Sequence, residues 1–180
     1  MLVREVRWSD FDDLREIYYE LYEERDRGEA IGITLFTVRP SLADEVEWFT
    51  GEYRRVQAGD AVMSVAEDGG RVVGNCSIHR QGPSASSESG HVGVLGILVQ
   101  RDHRGAGVGS ALLTHALAAC RGRFEVVRLS VFATNPRAQR LYSRFGFVPV
   151  GRIPRAIRRG TEYIDEEEMV LLLPPAVQNP

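Results

Sequence analysis

The chain has 180 residues, 43% of them hydrophobic and 26% charged, with a net charge of −3. This length suits one domain with its own core, so we predict a single domain over 1–173 and a loose tail over 174–180. The charge argues against nucleic acid as a partner, and the sequence has neither a membrane-spanning apolar run nor a signal peptide, so we expect no membrane partner and a cytoplasmic protein.

The first elements are a strand and a helix. Residues 2–8 alternate in polarity, as a strand with one buried face does. Ser9 starts the helix, with Asp12 in the capping-box position three residues later. We therefore expect an amphipathic helix to follow the strand directly.

An apolar loop, 28–40, separates this helix from a second one, which Ser41 and Asp44 cap. Apolar residues are unusual in a loop between two helices. Leu35 and Phe36 could therefore be the walls of a lid over a binding site, or they could pack onto the core.

Three strands come next. Residues 60–67 and 71–80 flank Asp-Gly-Gly, which is typical of a β-hairpin. The small polar stretch 81–90 predicts a flexible connection, and 91–100 predicts a third long strand.

The cysteines and histidines predict neither a disulfide nor a metal site. Cys76 and Cys120 are the only cysteines, and each lies in a predicted apolar element, so we expect two reduced core residues. The four histidines are scattered along the sequence, so no metal-ligand spacing is present.

A glycine-rich stretch, RGAGVG (104–109), follows the third strand, and a helical pattern runs from Ser110 to about Arg121. Strand, glycine turn and helix start, in that order, place unpaired backbone N–H groups against an anion. The stretch lacks the Lys-Ser/Thr of a Walker loop and does not open a dinucleotide-binding unit, which disfavours ATP and NAD. It predicts a phosphate-bearing ligand, although glycine spacing alone fits a structural turn equally well.

The last third of the chain predicts two more strands around a turn, preceded by a strand and a helix. Residues 124–134 read as a strand, and Asn135 caps a helix that stops at Gly146. Residues 147–159 and 161–173 read as a final hairpin. The order of elements predicts an α+β (mixed α/β) fold.

Two motifs together resemble the signatures of the GNAT superfamily of acyl-CoA N-acyltransferases. RGAGVG fits Arg/Gln-x-x-Gly-x-Gly/Ala, the pyrophosphate loop of that superfamily. ATNPRAQRLYSRFGFVPVG (133–151) is similar to its second signature, Asn-x-x-Ala-x-x-Leu-Tyr-x-x-x-Gly-Phe. The resemblance covers roughly 91–173. It implies the GNAT fold, a central twisted, mostly antiparallel sheet of about seven strands flanked by four helices.

The resemblance also implies that acetyl-CoA is the cosubstrate. Backbone N–H groups of the glycine loop would bind its pyrophosphate, and the preceding strand, splayed from its neighbour, would pair with the pantetheine arm. The cofactor-binding residues implied in this way are Ile97, Leu98, Val99, Arg104, Gly105, Ala106, Gly107, Val108, Gly109, Ser110, Asn135 and Tyr142.

Three residues are candidate catalytic groups. Tyr142 takes the position of the family's tyrosine and would protonate the departing thiolate. A free N–H near Leu98 could stabilise the oxyanion. His91 could deprotonate the amine, because imidazole titrates near neutrality; Glu67 or a chain of waters could do so instead.

We therefore expect an N-acetyltransferase that moves an acetyl group to a small primary amine by direct transfer, similar to bacterial small-molecule and antibiotic-type members. One alternative is a protein N-terminal or lysine acetyltransferase, although Ser130 stands where some N-terminal acetyltransferases carry glutamate. Another is a non-catalytic acyl-CoA-binding sensor. Glutamates on the first helix and arginines on the last hairpin could attract charged acceptors, or they could be ordinary surface. By resemblance alone we expect a homodimer.

Overall fold

The computed structural model describes residues 1–174, so the predicted tail, 174–180, lies outside the described residues apart from Pro174. The elements are β1 (Leu2–Glu5), α1 (Phe11–Asp26), α2 (Leu42–Ala58), β2 (Ala61–Asp68), β3 (Arg71–Arg80), β4 (Val92–Val99), α3 (Val108–Ala119), β5 (Val126–Phe132), α4 (Pro136–Arg144), β6 (Val148–Arg159) and β7 (Glu162–Leu172). Two short 3-10 turns, Trp8–Asp10 and Arg101–His103, complete the set.

All seven strands form one sheet, in the order β1-β2-β3-β4-β5-β7-β6. Every neighbouring pair is antiparallel except β4 and β5, which are parallel because the chain returns to the sheet through α3. The predicted fold class, a mostly antiparallel sheet of seven strands with four helices, is confirmed.

The parallel pair separates soon after it begins. Only three residue pairs join β4 to β5, and the last of them is Val94 with Arg128. Beyond that point β4 runs on to Val99 and β5 runs on to Phe132 without pairing to each other. The sheet therefore has a wedge-shaped gap at its centre, and backbone groups along one edge of β4 lack a partner strand.

Each face of the sheet carries its own core. On one face α3 and α4 pack over a cluster that includes Cys76, Leu112 and Val127. On the other face α1 and α2 pack over Met63, with Phe49 of α2 almost fully buried there. Because strand residues alternate between faces, consecutive β4 residues contribute to opposite cores.

The two cysteines are buried and unbonded, as predicted. Burial raises the pKa of both thiols, that of Cys120 to about 11. Cys76 and Cys120 therefore stay protonated in the core and do not act as nucleophiles.

The predicted cap of α1 is wrong. Ser9 and Asp12 do not cap the helix; instead the Asp10 carboxylate accepts a hydrogen bond from the Arg7 N–H at 2.7 Å. The guanidinium of Arg4 holds both Asp10 oxygens, at 2.8 and 2.9 Å. This ion pair with β1 draws the chain into a 3-10 turn, so the helix begins after Asp10 and β1 is shorter than predicted.

The cap of α2 follows the prediction. The Ser41 N–H donates to the Asp44 carboxylate at 2.8 Å, and the Ser41 hydroxyl accepts from the Asp44 N–H at 3.3 Å. This reciprocal pair satisfies two N–H groups at the start of the helix, and the predicted second helix is confirmed.

Candidate functional site

The glycine loop joins the end of β4 to the start of α3. Gly105 and Gly107 have φ angles of 90° and 88°, which side-chain-bearing residues rarely adopt. Gly107 caps α3, so the helix begins at Val108, two residues earlier than predicted. The first turn of α3 has no helical acceptors for its N–H groups, and these point into the loop. This is the arrangement that the predicted anion cradle requires, and binding of an anion there stays a prediction.

Arg104 fixes this loop to the rest of the molecule. Its Nε donates to the Val99 carbonyl at 2.8 Å, and its two terminal nitrogens each lie 2.7 Å from a carboxylate oxygen of Glu24. Glu24 lies near the end of α1 and is only 1% exposed. The Arg104 side chain is thus a structural anchor, and its backbone N–H, bonded to the Arg101 carbonyl at 3.1 Å, is not free to bind an anion.

A cavity of about 670 Å³ opens beside the loop. Its walls include nine of the predicted cofactor-binding residues, namely Ile97, Leu98, Val99, Arg104, Gly105, Gly107, Gly109, Ser110 and Asn135. The remaining three, Ala106, Val108 and Tyr142, do not line it. The two sequence motifs therefore meet around one space.

The loop between α1 and α2 closes one side of this cavity. Its lining residues are 30–33, whereas Leu35 and Phe36, the predicted walls, do not line the cavity, and Phe36 is 68% exposed. The guanidinium of Arg159 in β6 donates to the Ile31 and Ile33 carbonyls at 3.2 and 3.1 Å. These hydrogen bonds hold the loop across the cavity. They involve backbone carbonyls, so the pattern of apolar side chains in the loop does not predict them.

Asn135 does two things at once. Its Oδ1 accepts a hydrogen bond from the Ala138 N–H at 3.1 Å, so it caps α4 as predicted. Its amide nitrogen faces Gly32, where a Cβ would overlap it. The bare backbone of Gly32 thus lets the loop reach the cavity wall next to Asn135.

Two arginines of α4 at the cavity were missed by the sequence reasoning. Arg137 lies against Gly105, and a terminal nitrogen of Arg144 is 3.5 Å from the Ser110 hydroxyl. They are seven residues apart and so project from one face of the helix. Among residues 1–174 neither forms an ion pair with a carboxylate. Their seven-residue spacing is visible in the sequence. However, Arg140 lies in the same helix, so the sequence alone does not show which face of the helix borders the cavity.

Tyr142 lies in the core beneath the cavity. It is 6% exposed, and its ring lies 5.8 Å from that of Phe147. Burial, with a smaller effect of the neighbouring Cys76, raises its pKa well above that of a free phenol. Cys76 pairs with Ile97 of β4, so the phenol sits under the strand that lines the cavity. It is a neutral hydroxyl at physiological pH.

The structure does not bring His91 or Glu67 to the cavity. His91 is exposed just before β4, and its carbonyl accepts from the Glu125 and Val126 N–H groups at 2.9 and 3.3 Å, where β4 and β5 still pair. Ile97 lies roughly 20 Å further along the strand at about 3.3 Å per residue. Glu67 pairs with Arg4 at 2.8 Å on the β1 side of the sheet.

Within the part of the chain that the structure describes, no three His, Cys, Asp or Glu side chains cluster as metal ligands would. No helix in residues 1–174 combines the length and the hydropathy needed to cross a membrane.

Comparison with known proteins agrees with this geometry. Residues 8–147 match the family described as the acetyltransferase (GNAT) family. The mycothiol acetyltransferase of Acidimicrobium ferrooxidans is 33% identical over 128 residues, which are 70% of this chain and 41% of that protein. The L-amino acid N-acetyltransferase AaaT of Escherichia coli K12 is 33% identical over 99 residues, 53% of this chain and 59% of that protein. The matched segments thus span less than two thirds of either relative.

Solved structures share the fold. A phosphinothricin acetyltransferase from Sinorhizobium meliloti, in complex with acetyl-CoA, superposes with a TM-score of 0.81 at 20% identity, covering 99% of this chain and 91% of that one. At this identity the likeness concerns the fold alone. The match over residues 8–147, together with the cradle and the gap between β4 and β5, leads to one conclusion: the chain belongs to the GNAT acetyltransferase family.

Proposed function

We propose that this protein is an acetyl-CoA-dependent N-acetyltransferase that acetylates the primary amine of a small molecule by direct transfer in a ternary complex. One observation carries the proposal. A single cavity joins the anion cradle of the glycine loop to the unpaired edge of β4. Acetyl-CoA needs both, because its diphosphate requires N–H donors and its pantetheine amides require a strand-like partner.

The residues around the cavity fit this cosubstrate. A Cβ on Gly105 would overlap the Arg137 guanidinium, so the glycine leaves that side chain room beside the loop. The N-terminus of α3 carries partial positive charge, and the guanidinium groups of Arg137 and Arg144 carry full charge; both favour phosphate. On the unpaired edge of β4, the N–H and carbonyl of Ile97 and the N–H of Val99 would serve the pantetheine arm, whereas the Val99 carbonyl is bonded by Arg104. A volume of about 670 Å³ lies in the usual range for small-molecule sites.

The reaction needs few protein groups. The lone pair of the neutral amine attacks the thioester carbonyl carbon, a C–N bond forms, and the C–S bond breaks. The Tyr142 hydroxyl would give its proton to the thiolate. Cys76 and Cys120 are both fully buried, which supports direct transfer over a cysteine-bound intermediate.

The backbone groups of Val92 and Gln100 bond to β3, so by alternation those of Leu98 also face β3 and its N–H is not free for the oxyanion. The N–H of Ile97 or Val99, on the unpaired edge of β4, would hold the oxyanion instead.

The names of two relatives support a small acceptor, since one is named for mycothiol and the other for L-amino acids. Neither name identifies the acceptor of this chain. A screen must therefore include small amines and peptides side by side.

The proposed function is tested first by thermal melts with acetyl-CoA, CoA, ATP and NAD. A ligand at 100 times its Kd stabilises by about 2.7 kcal/mol, which raises Tm by roughly 5–10 °C in a chain of this size. We expect this shift with the two CoA species only. Lack of a shift with either CoA species would overturn the proposal.

Thiol release is then measured with L-amino acids, polyamines, an unacetylated peptide N-terminus and a lysine peptide. We expect transfer to a member of the small-amine group. Transfer to peptides alone would make the protein a protein acetyltransferase. Binding of acetyl-CoA without transfer to any acceptor would favour a sensor.

Arg137→Ala and Arg144→Ala are each expected to weaken CoA binding by about tenfold or more, because a hydrogen bond to a charged group contributes on the order of 1.5–3 kcal/mol. Titration calorimetry with CoA and with dephospho-CoA shows which phosphate each arginine meets. Arg140→Ala is the matched control, since Arg140 lies on the same helix but does not line the cavity. An equal loss of CoA affinity in Arg140→Ala would mean that the arginines act only through the net charge of the protein.

A further inference from the structure

A buried carboxylate of α2 meets a histidine of the central sheet. Glu52 is 8% exposed, and its Oε2 lies 2.8 Å from Nδ1 of His79 in β3. Burial by itself raises the pKa of Glu52, but the contact with His79 and the nearby Arg55 outweigh burial and lower it. Glu52 is therefore ionised beside the ring. Glu52 Oε2 and His79 Nδ1 are close enough to attract each other, but their geometry is not that of a hydrogen bond.

The other ring nitrogen of His79 faces the middle of the sheet. Its Nε2 lies 3.4 Å from the hydroxyl of Ser77, two residues earlier on the same face of β3. Ser77 pairs with Gly96 of β4. A Cβ on Gly96 would meet only the Ser77 hydroxyl, at 3.8 Å, and Gly96 is exposed although it lies in a central strand. Ser77 and His79 thus border an open slot over Gly96.

This slot lies where β4 and β5 separate. His79 pairs with Val94, the last β4 residue that is paired with β5. Two residues further on is Gly96, and the cavity-lining residues 97–99 follow directly. The imidazole therefore stands beside the mouth of the gap, about 10 Å along β4 from Ile97, although His79 does not itself line the cavity.

His79 and Tyr142 lie on opposite faces of the sheet. His79 and Ser77 lie on the face covered by α1 and α2, whereas Tyr142 packs in the core under α3 and α4. A proton acceptor on one face and a proton donor on the other fit a reaction in which the amine approaches from one side and the thiolate leaves on the other.

We infer that His79 is the base that deprotonates the acceptor amine, with Glu52 as its positioning residue. The inference rests on the proposed function. Glu52 favours the tautomer with a proton on Nδ1, which makes Nε2 an acceptor, bonded weakly by the Ser77 hydroxyl at 3.4 Å until the ammonium takes its place. Nε2 takes one proton from the ammonium and later passes it to water. After C–N bond formation the amine gives up a second proton, which replaces the one that Tyr142 donates to the thiolate.

The charged groups around His79 set the electrostatic environment of its imidazole. Ala61 and Val94, its partners in β2 and β4, carry no charge. The charged groups of the packed elements include Glu45, Glu52 and Arg55 of α2, and Asp13 and Glu16 of α1, which hold Arg71 at the far end of β3. They also include Arg128 of β5, in an ion pair with Glu168 of β7, and the neighbouring Glu166. Burial raises the pKa of Glu45, which lies two helical turns before Glu52. Glu52 is the carboxylate that touches the imidazole.

The test compares His79→Gln with His115→Gln. His115 is a matched control because its Nδ1 bonds the Ser64 hydroxyl at 2.8 Å in the core on the other face of the sheet. For both variants we would measure Tm, the Kd for acetyl-CoA, and kcat from pH 6 to 9. The acceptors are the best amine from the screen and hydroxylamine, which is largely neutral at pH 7.

We expect His79→Gln to keep its affinity for acetyl-CoA and to lose kcat about 100-fold at pH 7, a typical contribution of a general base. The loss should shrink as pH rises, because more of the acceptor is already neutral, and it should be smaller with hydroxylamine. Glu52→Gln should move the acid limb of the kcat profile to lower pH, because the protonated imidazole loses a stabilising negative charge. His115→Gln should follow the wild type.

Unchanged kcat and pH profile in His79→Gln would overturn the inference and leave the proposed function intact. A loss shared equally with His115→Gln, or one found in His91→Gln instead, would also overturn it. If His79→Gln does not fold, the profile of Glu52→Gln decides. Transfer by the wild type to neither a panel amine nor hydroxylamine, despite acetyl-CoA binding, would defeat both proposals together.

Discussion

Replacing Arg104 with alanine is expected to lower Tm by about 6–20 °C. The change leaves the carboxylate of Glu24, 1% exposed, without its bidentate partner. Breaking a buried ion pair from one side costs about 3–5 kcal/mol, and each kcal/mol is worth roughly 2–4 °C in a chain of this length. The lower half of the range is expected, because the Arg104 side chain is 29% exposed.

The same variant should bind acetyl-CoA more weakly, because Arg104 also ties the loop to the Val99 carbonyl. The control is Arg101→Ala, which removes a surface pair with Glu29 and should change stability by less than about 1 kcal/mol. A double variant, Arg104→Met with Glu24→Leu, should recover much of the stability without the affinity, because apolar residues can replace a buried pair. A wild-type Tm for Arg104→Ala would contradict this account of the loop.

The elements of the fold are predictable from the sequence because their signals are local. Alternation marks the strands, and Ser41 with Asp44 marks the start of α2. Local signals also compete, however. Ser9 with Asp12 has the same spacing as a true cap, but Arg4 of β1 selects Asp10 instead. The local capping preference of Ser9 is overridden there by the ion pair between Arg4 and Asp10, which forms only when β1 has packed against the helix.

The cavity is predictable to the extent that it is built from two short motifs. The glycine loop and the start of α4 supply most of its predicted residues. Other contacts join residues far apart in sequence, such as Arg104 with Glu24 and Arg159 with the loop at 31–33. Their partners depend on how the helices and strands pack, and no spacing in the sequence encodes that.

The base illustrates the same limit. His91 has a suggestive place at the start of a central strand, whereas His79 has no motif around it. The distinction between them comes from the register of β3 on β4 and from a carboxylate on α2. Neither can be read before the sheet is assembled.

Replacing Tyr142 with phenylalanine is expected to lower kcat by about 100-fold or more while leaving the Kd for acetyl-CoA unchanged. The ring would keep its contact with Phe147, and only the hydroxyl would be lost. Because burial raises the pKa of Tyr142, the phenol of the wild type stays protonated, and able to donate, through pH 9. Its titration should therefore not reduce wild-type kcat on the alkaline side of that range. The measurement is steady-state thiol release across pH, with calorimetry for the affinity.

Tyr53→Phe is the matched control, because Tyr53 packs on the aromatic cluster around Phe49 and does not line the cavity. It should retain wild-type kcat. If Tyr142→Phe also retains kcat, the thiolate takes its proton from water or from the departing ammonium proton, and the phenol is only a core residue. If Tyr142→Phe loses kcat without losing affinity or Tm, the loss falls on the chemical step, which packing alone would not explain. A non-catalytic sensor has no thiolate to protonate, so that second result would also count against the sensor as an alternative function.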